Sequence, residues 1–190
     1  MSSLIFIRVY WGKNVLKWRN YVRYSFILGF AFKPKVPENK LSSSPVVVVA
    51  GPQSRFLPQT LDTLALQGGL VRENVLVFHE TDDLKAQDLC ELFNFSCQLL
   101  QSDLSGGRCE LLGQAMDTTE TIYPDAPYMT IIEPDVLLGS DFLSFASAMA
   151  SLLDADSTIG SVSGFNPDGS HLLAKDPSQA YRSVLLRPIR

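Results

Sequence analysis

Pro45-Val46-Val47-Val48-Val49-Ala50 is a continuous apolar run rich in β-branched side chains, which suits a strand buried on both faces of a largely parallel sheet. Gly51-Pro52 ends it. Phe56, Leu57, Leu61, Leu64 and Leu66 then recur at helical spacing, with Pro58 tolerable only in a first turn, so a helix is expected from about Phe56 to Leu66, stopped by Gly68-Gly69. A second strand is expected over Asn74 to His79, a helix from Asp83 to about Phe93, a third helix over Cys109 to Tyr123, and a strand over Tyr128 to Glu133. Over Asp141 to Leu153 the positions Phe142, Phe145, Met149, Leu152 and Leu153 suggest one apolar helical face, with Ser140 placed to cap it. Ile159 to Gly164 supplies a further short strand. This alternation predicts an α/β domain with a mostly parallel, Rossmann-like sheet flanked by helices. No glycine fingerprint for a dinucleotide or for ATP phosphates accompanies it.

The preceding forty residues read differently. Apolar runs at Leu4 to Ile7 and Tyr24 to Phe32 are short, the second spanning nine residues, where a membrane-crossing helix needs roughly 20. Arg8, Lys13, Lys17, Arg19 and Arg23 alternate with Trp11, Trp18, Tyr21 and Tyr24, a pattern shared by interfacial or targeting segments that associate with membranes and by basic stems outside any fold. Lys33 to Ser44, with two prolines and three consecutive serines, reads as a linker. The expected organisation is therefore a basic segment and linker over 1–44 that packs little against a domain over 45–190.

Charge follows the same boundary. Residues 1–40 hold eight Lys/Arg against the single acid Glu38, a net +7, and the remainder holds eight against nineteen acids, a net −11. An acidic body excludes the clustered phosphate contacts of a nucleic-acid partner and suits divalent cations. The length and the 46% hydrophobic content fit one sizeable core rather than two. Cys90, Cys97 and Cys109 lack zinc-site spacing. With the sequon Asn94-Phe95-Ser96 beside two of them, they fit either one disulfide and a spare thiol in the secretory pathway, or buried free thiols in a reduced protein.

The segment with chemical content is Ile131-Ile132-Glu133-Pro134-Asp135, a buried strand ending in two carboxylates. In open α/β sheets ligands sit beyond the carboxyl ends of strands. A carboxylate placed there can hold Mn²⁺ or Mg²⁺ through hard oxygen donors, the metal then bridging a nucleotide diphosphate and neutralising the leaving group. The same pair could equally cap a helix or lie in a solvated turn. His79 reads as a strand-end side chain rather than a catalyst.

Five ordered blocks carry a resemblance: Pro45 to Gly51, Ile131 to Asp135, Asp141-Phe142-Leu143-Ser144-Phe145, Val162-Ser163-Gly164-Phe165-Asn166, and Lys175-Asp176-Pro177 leading to Tyr181-Arg182. In order and spacing they resemble the mannosyl-glycoprotein β-1,2-N-acetylglucosaminyltransferase I family, more closely its branch acting on protein O-linked mannose, over roughly three quarters of the chain. The resemblance implies a GT-A fold, a glycosyltransferase using UDP-N-acetylglucosamine and Mn²⁺ with inversion by direct displacement, a mannose-bearing glycoprotein acceptor, and the lumenal side of the Golgi membrane. It places the metal ligand on Asp135 and a donor contact to ribose or uracil on Glu133. Glu80 takes the place of an Asp that commonly closes the family's second strand. Where the family usually carries an Arg that reaches the nucleotide, this chain reads Gly51-Pro52-Gln53-Ser54-Arg55, with Arg55 standing two residues further on as its substitute.

The sequence also departs from the family. Pro134 replaces the middle acid of its metal motif. After Tyr181-Arg182 the chain reads Ser183-Val184-Leu185-Leu186-Arg187-Pro188-Ile189-Arg190, without the Gly-Leu-Gly-Trp segment and the later general base of the family. The expectation is a donor half incomplete at its carboxyl terminus, with no catalytic base assigned. Its rivals are a non-catalytic binding or regulatory module on a degenerate GT-A fold and a cytosolic α/β domain unrelated to sugar transfer.

Overall fold

A computed structural model of the chain describes residues 3–7, 40–51, 54–80, 84–100, 107–157 and 159–164. Trp11, Trp18 and the blocks from Phe165 onward lie outside the described residues. The elements are β1 (Ser3–Ile7), β2 (Val46–Ala50), α1 (Leu57–Ala65), β3 (Val75–Glu80), α2 (Leu84–Phe93), β4 (Ser96–Leu100), α3 (Gly107–Ile122), β5 (Tyr128–Ile132), α4 (Phe142–Ala155) and β6 (Ser161–Ser163). They build one sheet in the order β4-β3-β2-β5-β1-β6, parallel at every pairing. The protein is thus an α/β fold with a parallel sheet flanked by helices.

Both faces of the sheet are covered, which explains why its central strands read as continuous apolar runs. Val46, Val48, Ala50, Val75, Val77, Tyr128 and Ile132 share a core with Leu57, Leu61 and Leu64 of α1, Ala86 and Cys90 of α2, and Phe142, Ala146 and Ala150 of α4. The alternate positions Val47, Val49, Leu76, Phe78, Met129 and Ile131 pack with Leu111 and Ala115 of α3 on the opposite face. Strand alternation sends neighbouring valines to opposite sides.

The helices depart in detail from their expected apolar stripes. On α1, Leu57, Leu61 and Leu64 are buried, but the flanking Phe56 and Leu66 are exposed, and the polar Thr60 and, just past the helix, Gln67 turn inward instead. On α4 the inward face is Phe142, Leu143, Ala146, Ser147, Ala150 and Leu153, whereas Phe145 and Leu152 stand partly exposed. Ala146 and Ala150 are fully buried although a size-weighted apolar pattern discounts them. Asp141 rather than Ser140 occupies the α4 N-cap, and no side-chain cap hydrogen bond forms there. Strand β4 went unanticipated because Ser96 and Gln98 dilute its pattern, as suits the edge of the described sheet.

The amino-terminal segment also differs from expectation. Ser3–Ile7 pairs with β5 along its whole length and with β6 on its other side. At the end of the linker, Leu41, Ser44 and Pro45 are buried, and the Lys40 backbone amide donates to Ser147 Oγ at 3.3 Å. Lys40 Nζ lies 2.6 Å from Asp154 Oδ2, and Tyr128 Oη donates to Asp154 Oδ1, pinning the linker to the amino end of β5 through α4. Burial and the Asp154 carboxylate push the Tyr128 hydroxyl up to about 12. Hydrogen bonds from Lys40 and Tyr128 hold the Asp154 carboxyl below the usual carboxylate range. Among the described residues no helix is long and apolar enough to cross a membrane.

Candidate functional site

The order of the strands decides where a ligand site falls. From β2 the chain steps outward through α1 to β3 and through α2 to β4, then returns across the other face by α3 to β5 on the far side of β2. From β5 the chain continues the other way, through α4 to β6, with α4 on the same face as α1, so the strand order reverses between β2 and β5. The carboxyl edge at such a reversal is a topological switch point, the preferred ligand crevice of open α/β sheets.

All four candidate residues lie at this edge. Arg55 is exposed in the turn between β2 and α1, a turn closed by Ser54, whose amide donates to the Gly51 carbonyl at 3.0 Å and whose Oγ accepts from the Gly51 amide at 2.9 Å. Glu133 and Asp135 follow β5, both half-buried. Glu80 closes β3, on the side of β2 away from β5. His79 is 2% exposed within β3, its Nδ1 2.9 Å from the Glu80 carbonyl, which can only accept, so the proton sits on Nδ1. It is a core side chain.

Asp135 has a structural contact of its own. Its Oδ1 accepts from the Phe56 amide at 3.2 Å, at the N-cap of α1, where the helix dipole favours a negative charge. This bond ties the loop after β5 to the loop after β2, bringing Asp135 beside the turn that holds Arg55. The helix-capping alternative for the acid pair is therefore the contact one of its oxygens makes. Glu133 faces a different cation: Arg108 Nη2, in the first turn of α3, lies 3.9 Å from Glu133 Oε2. Both side chains are partly exposed, so the pair contributes less than about 1 kcal/mol and serves to bring a guanidinium to the site.

A polar ribbon on α1, invisible to the apolar pattern, holds the acid-bearing loop. Thr60 is fully buried, with the Pro134 and Val136 carbonyls 2.7 and 2.8 Å from its Oγ1, which also accepts from the Val136 amide at 3.2 Å. One turn on, Thr63 Oγ1 accepts from the Leu138 amide at 3.2 Å. Gln67 then donates to the Gly139 carbonyl at 2.8 Å and accepts from the Leu143 amide at 3.3 Å. Thr60 and Thr63 lie three residues apart on α1 and Gln67 follows just past its end, so a loop without regular hydrogen bonds is satisfied by side chains instead. Arg108 and this ribbon are what sequence reasoning missed; the only signal was Thr-x-x-Thr-x-x-x-Gln at helical spacing.

Among the described residues no three His, Cys, Asp or Glu side chains form a group that could hold a metal. The donors present suit a hard cation in kind, because carboxylate oxygens are the ligands such ions prefer. A single carboxylate suffices only where phosphate and water oxygens fill the other positions. No protein-family model matches the chain.

Proposed function

We propose that the switch-point edge is the donor half-site of a GT-A glycosyltransferase, binding UDP-N-acetylglucosamine with Mn²⁺ for β-1,2 transfer to a mannose-bearing glycoprotein on the lumenal side of the Golgi membrane. The observation that carries this reading is the junction of the two loops: the acid after β5 is bonded to the start of α1 beside β2, where open sheets receive nucleotides. In this reading the outer oxygen of Asp135 takes the metal, Glu133 and Glu80 meet the ribose and uracil, and Arg55 meets the nucleotide. Mn²⁺ would neutralise the diphosphate as it leaves. The five sequence blocks support the assignment beyond the fold.

One observation favours a second reading, a non-catalytic module. Asp135 already holds α1, and Pro134, in place of an acid, is buried with its carbonyl on Thr60, so the loop is accounted for structurally. Asp135→Asn separates the two. The amide oxygen still accepts from the Phe56 amide, but the charge a metal requires is gone. Titration calorimetry with UDP-N-acetylglucosamine should show binding that depends on Mn²⁺ and weakens tenfold or more in this variant, about 1.4 kcal/mol. Equal affinity for variant and parent in the presence of Mn²⁺ leaves the module as the correct account.

A further inference from the structure

One sequence motif remains unused by the donor site, the sequon Asn94-Phe95-Ser96. Its surroundings in the fold are specific. Asn94 is exposed and takes the left-handed conformation, φ 54°, in the turn between α2 and β4. Its backbone amide closes that turn on the Glu91 carbonyl at 3.2 Å. The turn is bracketed by Cys90 and Cys97, which are bonded to each other, while Cys109 is an exposed free thiol. A disulfide closing around a sequon is a second, independent sign of the oxidising compartment in which such asparagines are modified.

The position also matters to the sheet. β4 is the edge of the described sheet, and Leu99 on it is 52% exposed. A cleft of about 440 Å³ opens beside it, lined among others by Gln87, Glu91, Asn94, Phe95 and Leu99. An open edge with exposed apolar side chains invites pairing with another chain unless something covers it. The connection from a helix to the next parallel strand lies at the amino end of the sheet, opposite the donor site, so a bulky group on Asn94 leaves that site clear.

We infer that Asn94 carries an N-linked glycan, whose first sugars lie along this cleft and cover the β4 edge. The inference rests on the lumenal part of the proposed function. The donor is a lipid-linked oligosaccharide diphosphate: Asn94 Nδ2 forms the bond to the anomeric carbon, the lipid diphosphate leaves with the bonding pair, and the amide proton passes to base on the transferase.

The full chain expressed in animal cells, with membrane vesicles tested for protease protection, provides the test. A gel shift reversed by peptide N-glycosidase F, with deamidation at Asn94 in the released peptide, is expected for the parent and should be lost in Asn94→Gln and in Ser96→Ala. The second variant leaves the left-handed Asn94 in place, so loss there cannot be a folding defect at that residue. Ser96→Thr should retain the shift. Enzymatic removal of the glycan from folded protein should increase self-association in sedimentation and speed amide exchange along β4. A protease-protected chain unmodified at Asn94 overturns the inference while leaving the lumenal reading intact, whereas a chain open to protease overturns both. A glycan whose removal changes neither association nor exchange overturns the covering of the edge.

Discussion

Replacing the Thr60 hydroxyl tests whether the polar ribbon on α1 holds the acid-bearing loop. Thr60→Val is nearly isosteric, so it leaves no cavity, but it removes the group that answers the Val136 amide and the Pro134 and Val136 carbonyls. All three contacts are buried. The single hydroxyl proton can satisfy one carbonyl at a time, so the substitution strands one donor and at least one acceptor. Each buried group left without a partner costs about 1–3 kcal/mol, placing the total near 3 kcal/mol. That is a large part of the 5–15 kcal/mol typical of a domain. Thr60→Ser keeps the hydroxyl and loses one methyl, at about 0.8 kcal/mol. Urea titrations of the three proteins should give midpoints in the order parent, Ser, Val at similar slopes. Exchange of the Val136 amide should accelerate by about a hundredfold in the Val variant, each 1.4 kcal/mol being a factor of ten. A Val variant as stable as the Ser variant would show that the loop is held by packing around Leu57, Val136 and Leu138, and the ribbon argument would fail.

Three further outcomes follow from other contacts. In an alkaline titration followed by tyrosinate absorbance, Tyr128 should ionise last, near pH 12, and Asp154→Asn should move it part of the way back toward 10, burial accounting for the rest. Because its folded value is raised, the stability it contributes is present below pH 10 and lost as the pH climbs through about 12. Asp154 behaves in the opposite sense: its lowered folded value contributes stability above the ordinary carboxylate range, lost as acid passes the folded value, and Lys40→Met should flatten that acid limb in denaturation curves. Reduction of Cys90–Cys97, seven residues apart, should cost about 2 kcal/mol on chain-entropy grounds, and a melting temperature unchanged by reductant would argue that the folded turn does not depend on the bond.

The central strands and their flanking helices were legible because burial on both faces writes an unbroken apolar run and because helical periodicity survives a shift of one position. Val46 to Ala50 and Tyr128 to Ile132 needed no partner to be recognised. The acids were legible as candidates for the same reason: they stand where such a run stops. Which strands neighbour one another was not legible, since parallel pairing joins residues dozens of positions apart and leaves no local mark. Only that order places the Glu133 to Asp135 loop beside the Gly51 to Phe56 loop and creates the switch point. The same non-locality hid β1, whose four apolar residues Leu4 to Ile7 acquire a role only between β5 and β6. It also hid Thr60 and Gln67, because a polar side chain turned inward is worth its burial only when a particular backbone lies against it. The sequence by itself determined the central strands, their flanking helices, the acidic edge and the sequon; the tertiary structure decided which loops meet, which oxygen of Asp135 is already engaged, and which edge of the described sheet lies beside Asn94.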